Sequence, residues 1–228
     1  LWDVKTGEVI RQYTDEKNGH DSRIIDVAYH PSLAHVLTSG IDFMIIAWER
    51  ETGRLLAAMD DHDGRVDSLS FDASGATFAS GSDDTTVIVW DAASYEPIIR
   101  LRGHNGEVRQ VALSADGRRV VSASEDGSAR IWDSGGSAFQ RHVFEEPQGR
   151  VVELSLSSDG TRLVVATLDG ELLIYDVSTA GAYTLLHRRD FEEGILGTDI
   201  SPDDRTLAIT TGEHPDDDAT GGVIHLLD

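Results

Sequence analysis

The stretch GHNGEVRQVALSADGRRVVSASEDGSARIWD, Gly103 to Asp133, decides how this chain folds. Within it, Val108–Leu113 alternates apolar and polar residues and runs into a turn at Ser114–Gly117. A second strand follows over Arg119–Ser124, and a tight turn containing Asp126 leads to a third, Ala129–Trp132. Apolar and β-branched residues at period two, punctuated by Gly, Asp and Ser, predict antiparallel β structure. Sustained helical spacing is absent here and elsewhere in the chain.

The same order recurs on both sides. Val66–Phe71 precedes the turn Asp72–Gly75 and the strands Thr77–Ser82 and Thr86–Trp90, and Val151–Leu156 precedes Ser157–Gly160. An aromatic or apolar residue followed by an acid closes every unit: Trp2-Asp3, Trp48-Glu49, Trp90-Asp91, Trp132-Asp133, Tyr175-Asp176 and Leu227-Asp228. The steps are 46, 42, 42, 43 and 52 residues. A period just above 40 with this ending marks four-stranded propeller blades. The division is a remnant at 1–3 and repeats at 4–49, 50–91, 92–133, 134–176 and 177–228. Each fourth strand runs from beyond the closing pair to the next His, often across a Thr-Gly turn (Thr6-Gly7, Thr52-Gly53).

Three units share a stricter spacing. Gly19-His20, Asp61-His62 and Gly103-His104 each place the His 28 residues before Trp48, Trp90 and Trp132. On these residues the chain resembles the WD-repeat family, over almost its whole length. The resemblance implies an all-β propeller with five four-stranded blades. Both ends fall at the same phase of the repeat, so the expected object is a partial ring from an array of about seven blades or more. Such a segment leaves two blade faces open and is expected to be poorly soluble or oligomeric alone.

Six residues before each Trp stand Asp42, Asp84 and Asp126, and ten before stand Thr38, Ser80 and Ser122. Hydroxyl, imidazole and carboxylate are the parts of a hydrolytic triad. A nucleophile must be reachable, however, and these residues recur unit after unit beside a Trp that implies burial. The resemblance implies a structural network instead. In it Asp42, Asp84 and Asp126 accept from one nitrogen of His20, His62 and His104, while the other nitrogen meets the hydroxyl that receives the indole N–H. As metal ligands the histidines stand 42 residues apart, unlike the short spacings of zinc sites, so no metal or cofactor is expected.

The pattern then decays. The fourth unit has Tyr175 for Trp, Val165 at the hydroxyl position and Glu146-Pro147 near where Gly-His would fall, but keeps Asp169. It is expected to rely on apolar packing by Leu154, Leu156, Leu163, Val165 and Ile174. The fifth unit lacks the His, and the turn between its second and third strands swells to Gly212–Gly222. This acidic loop 213–218, with His214 and Asp216-Asp217-Asp218, lacks the alternating ligand spacing of a calcium loop and reads as solvated.

Nineteen basic against forty-one acidic side chains give a formal charge of −22, which repels phosphate backbones and anionic lipid. The longest apolar runs, such as Met44–Trp48, are too short to span a bilayer. Absence of cysteine excludes disulfides and thiolate metal sites and is compatible with the cytoplasm. Leu1-Trp2-Asp3 has no initiator Met and no signal features, so the chain is expected to lie within a larger one.

In the family that this chain resembles, partners dock on the face around the central channel. The first-strand bulge positions there map to Ile25, Asp67, Arg109, Val152 and Leu196, and those before the tight-turn Asp to Ile41, Asp83, Glu125 and Leu168. The resulting face is apolar in units one and four, charged in two and three, and apolar again at Leu196. Apolar anchors with a charged flank suit a protein or peptide. With Arg109 as its one cation, the face lacks the arginine cluster of a phosphopeptide reader. The expected function is a non-enzymatic interaction scaffold, the propeller module of a larger multidomain regulatory protein. The alternatives are an enzymatic or substrate-gating propeller attached to a hydrolase, and an architectural spacer. Catalysis would need a lone reactive cluster outside the repeat pattern, and the sequence holds none.

Overall fold

The computed structural model describes residues 1–15, 19–134, 140–212 and 222–227. It contains nineteen strands and, among the described residues, no helix. The first sheet comprises β1 (Ile24–Tyr29), β2 (His35–Gly40), β3 (Ile45–Glu49) and β4 (Leu55–Met59). The second comprises β5 (Val66–Phe71), β6 (Thr77–Ser82), β7 (Val87–Asp91) and β8 (Pro97–Leu101). The third holds β9 (Val108–Leu113), β10 (Arg119–Ser124), β11 (Ala129–Asp133) and β12 (Gln140–Phe144). The fourth holds β13 (Val151–Leu156), β14 (Arg162–Thr167), β15 (Glu171–Asp176) and β16 (Thr184–Asp190). The fifth has β17 (Gly194–Ile200), β18 (Leu207–Gly212) and β19 (Val223–Leu227). Every sheet is an antiparallel meander in chain order.

One detail corrects the sequence reading. Four sheets have four strands, but the fifth has three among the described residues. With the fourth strand lying beyond each closing pair, the repeat unit and the sheet are offset by one strand. Residues 50–91, one unit by sequence, give Leu55–Met59 to the first sheet and the rest to the second. The swollen acidic loop at 213–218 lies outside the described residues.

The innermost strands touch in succession, β1 with β5, β5 with β9, β9 with β13 and β13 with β17. Among the described residues β17 and β1 make no comparable contact. The core is therefore a series of layers between neighbouring sheets. One layer joins Leu37, Ile45 and Ala47 of the first sheet to Leu69, Phe78 and Trp90 of the second. Another joins Val121, Ala129 and Ile131 to Leu154, Leu163 and Tyr175. Second strands are buried on both sides, so one of their faces carries small residues that let the next sheet approach. A Cβ on Gly81 would come within 2.9 Å of both Val108 and Val111.

The two outermost faces differ from the rest. Val27 of the first sheet is 55% exposed, whereas Leu69, one repeat later, is 8% exposed. Ile224 of the fifth sheet is 72% exposed and Leu172, at the same register in the fourth, is 2% exposed. The leading face of the first sheet is partly covered by residues 1–13, where Trp2 bridges to Val9 and the Tyr13 ring lies 6.0 Å from Trp48.

Candidate functional site

Beneath the face around the innermost strands, three sheets carry the same side-chain chain. Trp48 Nε1 donates to Thr38 Oγ1 at 2.8 Å, which lies 2.9 Å from His20 Nε2, and His20 Nδ1 lies 2.8 Å from Asp42. The second sheet repeats it through Trp90, Ser80, His62 and Asp84 at 2.8, 2.7 and 2.8 Å. The third does so through Trp132, Ser122, His104 and Asp126 at 2.8, 2.7 and 2.9 Å. Each hydroxyl receives the indole proton and gives its own to Nε2, which fixes the Nδ1–H tautomer facing the carboxylate. Ser80 and Ser122 have no exposed surface. A hydroxyl held there cannot meet a substrate carbonyl, so the arrangement is poor in chemistry and rich in rigidity.

The Asp in each network also holds its own turn. Asp84 accepts from Thr86 N and Oγ1, from Asp63 N and from Arg100 Nη1. Burial alone would favour the neutral acid, but the bonds from His62 and Thr86 outweigh it and hold the carboxyl well below its usual range. Asp126 is held down likewise by His104 and Ser128. Burial lowers the His104 pKa, against the opposing pull of Asp126. This grip keeps Thr85 at φ +70°, a left-handed conformation that costs a β-branched residue about 1 kcal/mol or more. The equivalent positions in the third and fourth sheets are Gly127 and Gly170.

The fourth sheet has a substitute network. Tyr175 OH donates to Glu146 at 3.4 Å, and burial with that carboxylate nearby pushes the phenol pKa up. Glu171, buried, accepts from Gln148 N at 2.6 Å and pairs with Arg188. So the fourth sheet does not rest on apolar packing alone, because acids supplied at Glu146 and Glu171 accept the polar groups left by the lost imidazole and hydroxyl. In the fifth, Thr211 Oγ1 lies 3.2 Å from His225 Nε2, with the Phe191 ring 4.9 Å from that imidazole.

On the face above, the first strand of each sheet slips register by one residue, at Ile25, Asp67, Arg109, Val152 and Leu196. A bulge turns that side chain out of the ladder. The charged members converge. Arg109 Nη1 reaches Asp67 at 3.1 Å and Asp83 at 3.2 Å, its Nη2 reaches Glu125 at 2.6 Å, and Glu107 pairs with it as well. Arg65 also pairs with Asp67 and Asp83. Burial and the Asp83 carboxylate beside it push the Asp67 pKa up. Arg109 is thus enclosed by four carboxylates, and the apolar members Ile41 and Leu196 stand exposed while Ile25, Val152 and Leu168 are half-buried.

A third set of residues was not singled out by sequence. In three of the five sheets the residue after the bulge accepts from the backbone of the next sheet. Leu69 N donates to Asp26 at 2.7 Å, Val111 N to Ser68 at 3.2 Å, and Thr198 N to Glu153. Burial pushes Glu153 up to about 7, with the Asp26 carboxylate adding repulsion. Burial also raises Asp26. The available signal was a polar residue at this point of the first four first strands, Asp26, Ser68, Gln110 and Glu153, where a buried strand would otherwise be apolar.

Among the described residues, no group of three or more His, Asp or Glu side chains is placed to hold a metal ion, and no helix is long and apolar enough to cross a membrane. A family model described as WD domain, G-beta repeat matches residues 9–49, 53–91 and 95–133, just over half of the chain. No curated protein matches the chain. Repeats matched over that extent, built on three copies of one Trp-hydroxyl-His-Asp chain, make this protein a member of the WD-repeat family.

Proposed function

We propose that the chain is a non-enzymatic interaction scaffold that holds a protein partner on the bulge face. Domains of this family are commonly interaction scaffolds and typically lack catalytic activity. The observation that carries the reading is the fate of the reactive residue types. Every Ser/Thr-His-Asp set lies under the surface and is consumed by a Trp-anchored network, while outward positions such as Ile41 and Leu196 stand exposed. The exposed side chains Ile41 and Leu196, with the ionic cluster around Arg109, offer the apolar anchors and polar flank of a protein interface.

In this reading the domain spans the five sheets, and the open outer faces of the first and fifth are covered by further blades of the same array. Support comes from the exposure of Ile224 and Val27 at positions that interior sheets bury. The test is the double variant Ile41→Asp/Leu196→Asp in the intact protein, followed by affinity capture and identification of bound proteins. Loss of specific partners at unchanged melting temperature is expected. Retention of every partner would remove this face as the site.

A further inference from the structure

Between the loops of the third and fourth sheets lies a cleft of about 690 Å³. Its walls include Glu125, Asp126, Glu145, Pro147, Arg150 and Asp169. Asp169 is the fourth sheet's counterpart of Asp42, Asp84 and Asp126. Each of those three accepts from an imidazole and from the amide after it, as Asp84 does from His62 at 2.8 Å and Asp63 N at 3.1 Å. At Asp169 both donors are gone. Pro147 stands 22 residues before it, where the imidazole would be, and the next amide, Gln148 N, donates to Glu171 instead.

The stranded carboxylate is exposed and, among the described residues, has no hydrogen bond or ion pair. Glu145 across the cleft is in the same condition. By contrast Asp126 is held by His104, and Glu125 by Arg109. Asp169 nevertheless lies close to the opposite loop. Gly149, at φ +105°, leaves room for it, since a Cβ there would lie 1.9 Å from Asp169 Oδ2. Two arginines also line the cleft: Arg130 is engaged with Asp126 and Ser128, and Arg150, half-exposed, lies 3.7 Å from Glu125.

We infer that this cleft receives a lysine or arginine side chain of the bound partner, which gives Asp169 the donor that an imidazole gives its three counterparts. This rests on the scaffold reading above and names the partner's chemistry. The cleft has room for a long side chain and a flanking residue, two unengaged carboxylates face it, and the field of a chain with net charge −22 favours an approaching cation.

The probe is a blocked Gly-Gly-Arg-Gly-Gly peptide, with the neutral citrulline peptide as control, titrated into the full 228-residue chain and followed by amide NMR. The arginine peptide is expected to shift Asn105, Gln148, Gly149 and Asp169, and the citrulline peptide to leave them in place. Asp169→Asn is expected to weaken binding about threefold to tenfold without changing the melting temperature. Pro147→His, which offers Asp169 an internal imidazole, is expected to weaken it similarly. Equal shifts from both peptides, unchanged affinity in both variants, or magnesium displacing the peptide from the same amides would each overturn the inference. Partner capture separates it from the scaffold reading. Capture lost in Ile41→Asp/Leu196→Asp but intact in Asp169→Asn overturns the cleft alone, and capture intact in both removes the face as well.

Discussion

The second and fourth sheets answer the same physical demand in two ways. Both must fasten the loop entering a sheet to the turn between its second and third strands. The second sheet does this with His62 between Ser80 and Asp84, closed by the Trp90 indole. The fourth uses Glu146 on Tyr175 and Glu171 on Gln148 N and Arg188. The first solution spends its polar groups on each other and shows none to solvent. The second leaves Asp169 over, at the surface and without a partner. Decay of a structural motif here releases a functional group, because a residue no longer needed inside the fold becomes free to meet something outside it.

The largest effect is expected at the Trp. Trp90 is fully buried, stacked on Phe78 with ring centroids 5.7 Å apart, and its N–H is bonded. Trp90→Ala should cost about 3–5 kcal/mol by denaturant unfolding. Leu227→Ala, at the equivalent but half-exposed position of the fifth sheet, should cost about 1 kcal/mol. Similar losses at both would mean that the indole is no more important than any apolar filler.

Next comes the imidazole. His62→Ala leaves Ser80 and Asp84 without their shared partner and should cost about 1–3 kcal/mol, visible as a lower melting temperature. Pro147→Ala in the fourth sheet removes no hydrogen bond and should cost less. The intact networks also set the acid limit. His104 has a lowered pKa in the fold, so its contribution is present above the unfolded value of about 6.5 and fades as pH falls below it. Asp84 and Asp126 are held below their unfolded value of about 3.9, so they add a second loss as pH drops through that region. An unfolding curve indifferent to pH between 7 and 3, on the order of that window, would contradict both assignments.

Much of the fold was legible because the repeat writes its local contacts at fixed spacing. Trp to hydroxyl is ten residues and Trp to Asp six, so a single strand register places all of them, and the strand bounds follow. Contacts between sheets are less legible. The bond from Leu69 N to Asp26 joins residues 43 apart, and its partner is set by how closely two sheets stack rather than by any pattern within one. The same holds for Arg109. Sequence places it on the face as a cation, but only the side-by-side arrangement of two sheets shows that Asp67 and Asp83 of the neighbour already hold it. The bulge positions could be read as positions, whereas what they bind depends on a molecule that the sequence does not contain.

Glu153 offers a smaller and sharper contrast with Ser68, the residue that plays its part between the second and third sheets. Ser68 accepts its backbone N–H without charge. Glu153 does so as a buried acid pushed up to about 7, facing Asp26. Folding therefore favours its protonated form. Its penalty is absent below the unfolded value of about 4.3 and grows as pH rises through 7. Glu153→Gln keeps the accepting oxygen and removes the charge, so it should stabilise the protein by about 1–2 kcal/mol at pH 8 and leave it unchanged near pH 4. Stabilisation of equal size at both pH values would show that packing, not ionisation, is responsible.

The smallest expected effect isolates the comparison most cleanly. Asp84 and Asp169 occupy one structural position, in two sheets that differ in what surrounds it. Asp84 accepts from His62, Asp63 N, Thr86 and Arg100, so Asp84→Asn replaces an acceptor that those donors require with an amide that can face only some of them. A loss of about 1–3 kcal/mol follows from the unpaired buried groups. Asp169→Asn breaks no bond and buries nothing, so its stability should stay within about 0.5 kcal/mol of the parent. Paired melts of the two variants decide the matter. A large loss at Asp169 would mean that its carboxylate still works for the fold, and a group employed there is not free to wait for a partner's cation.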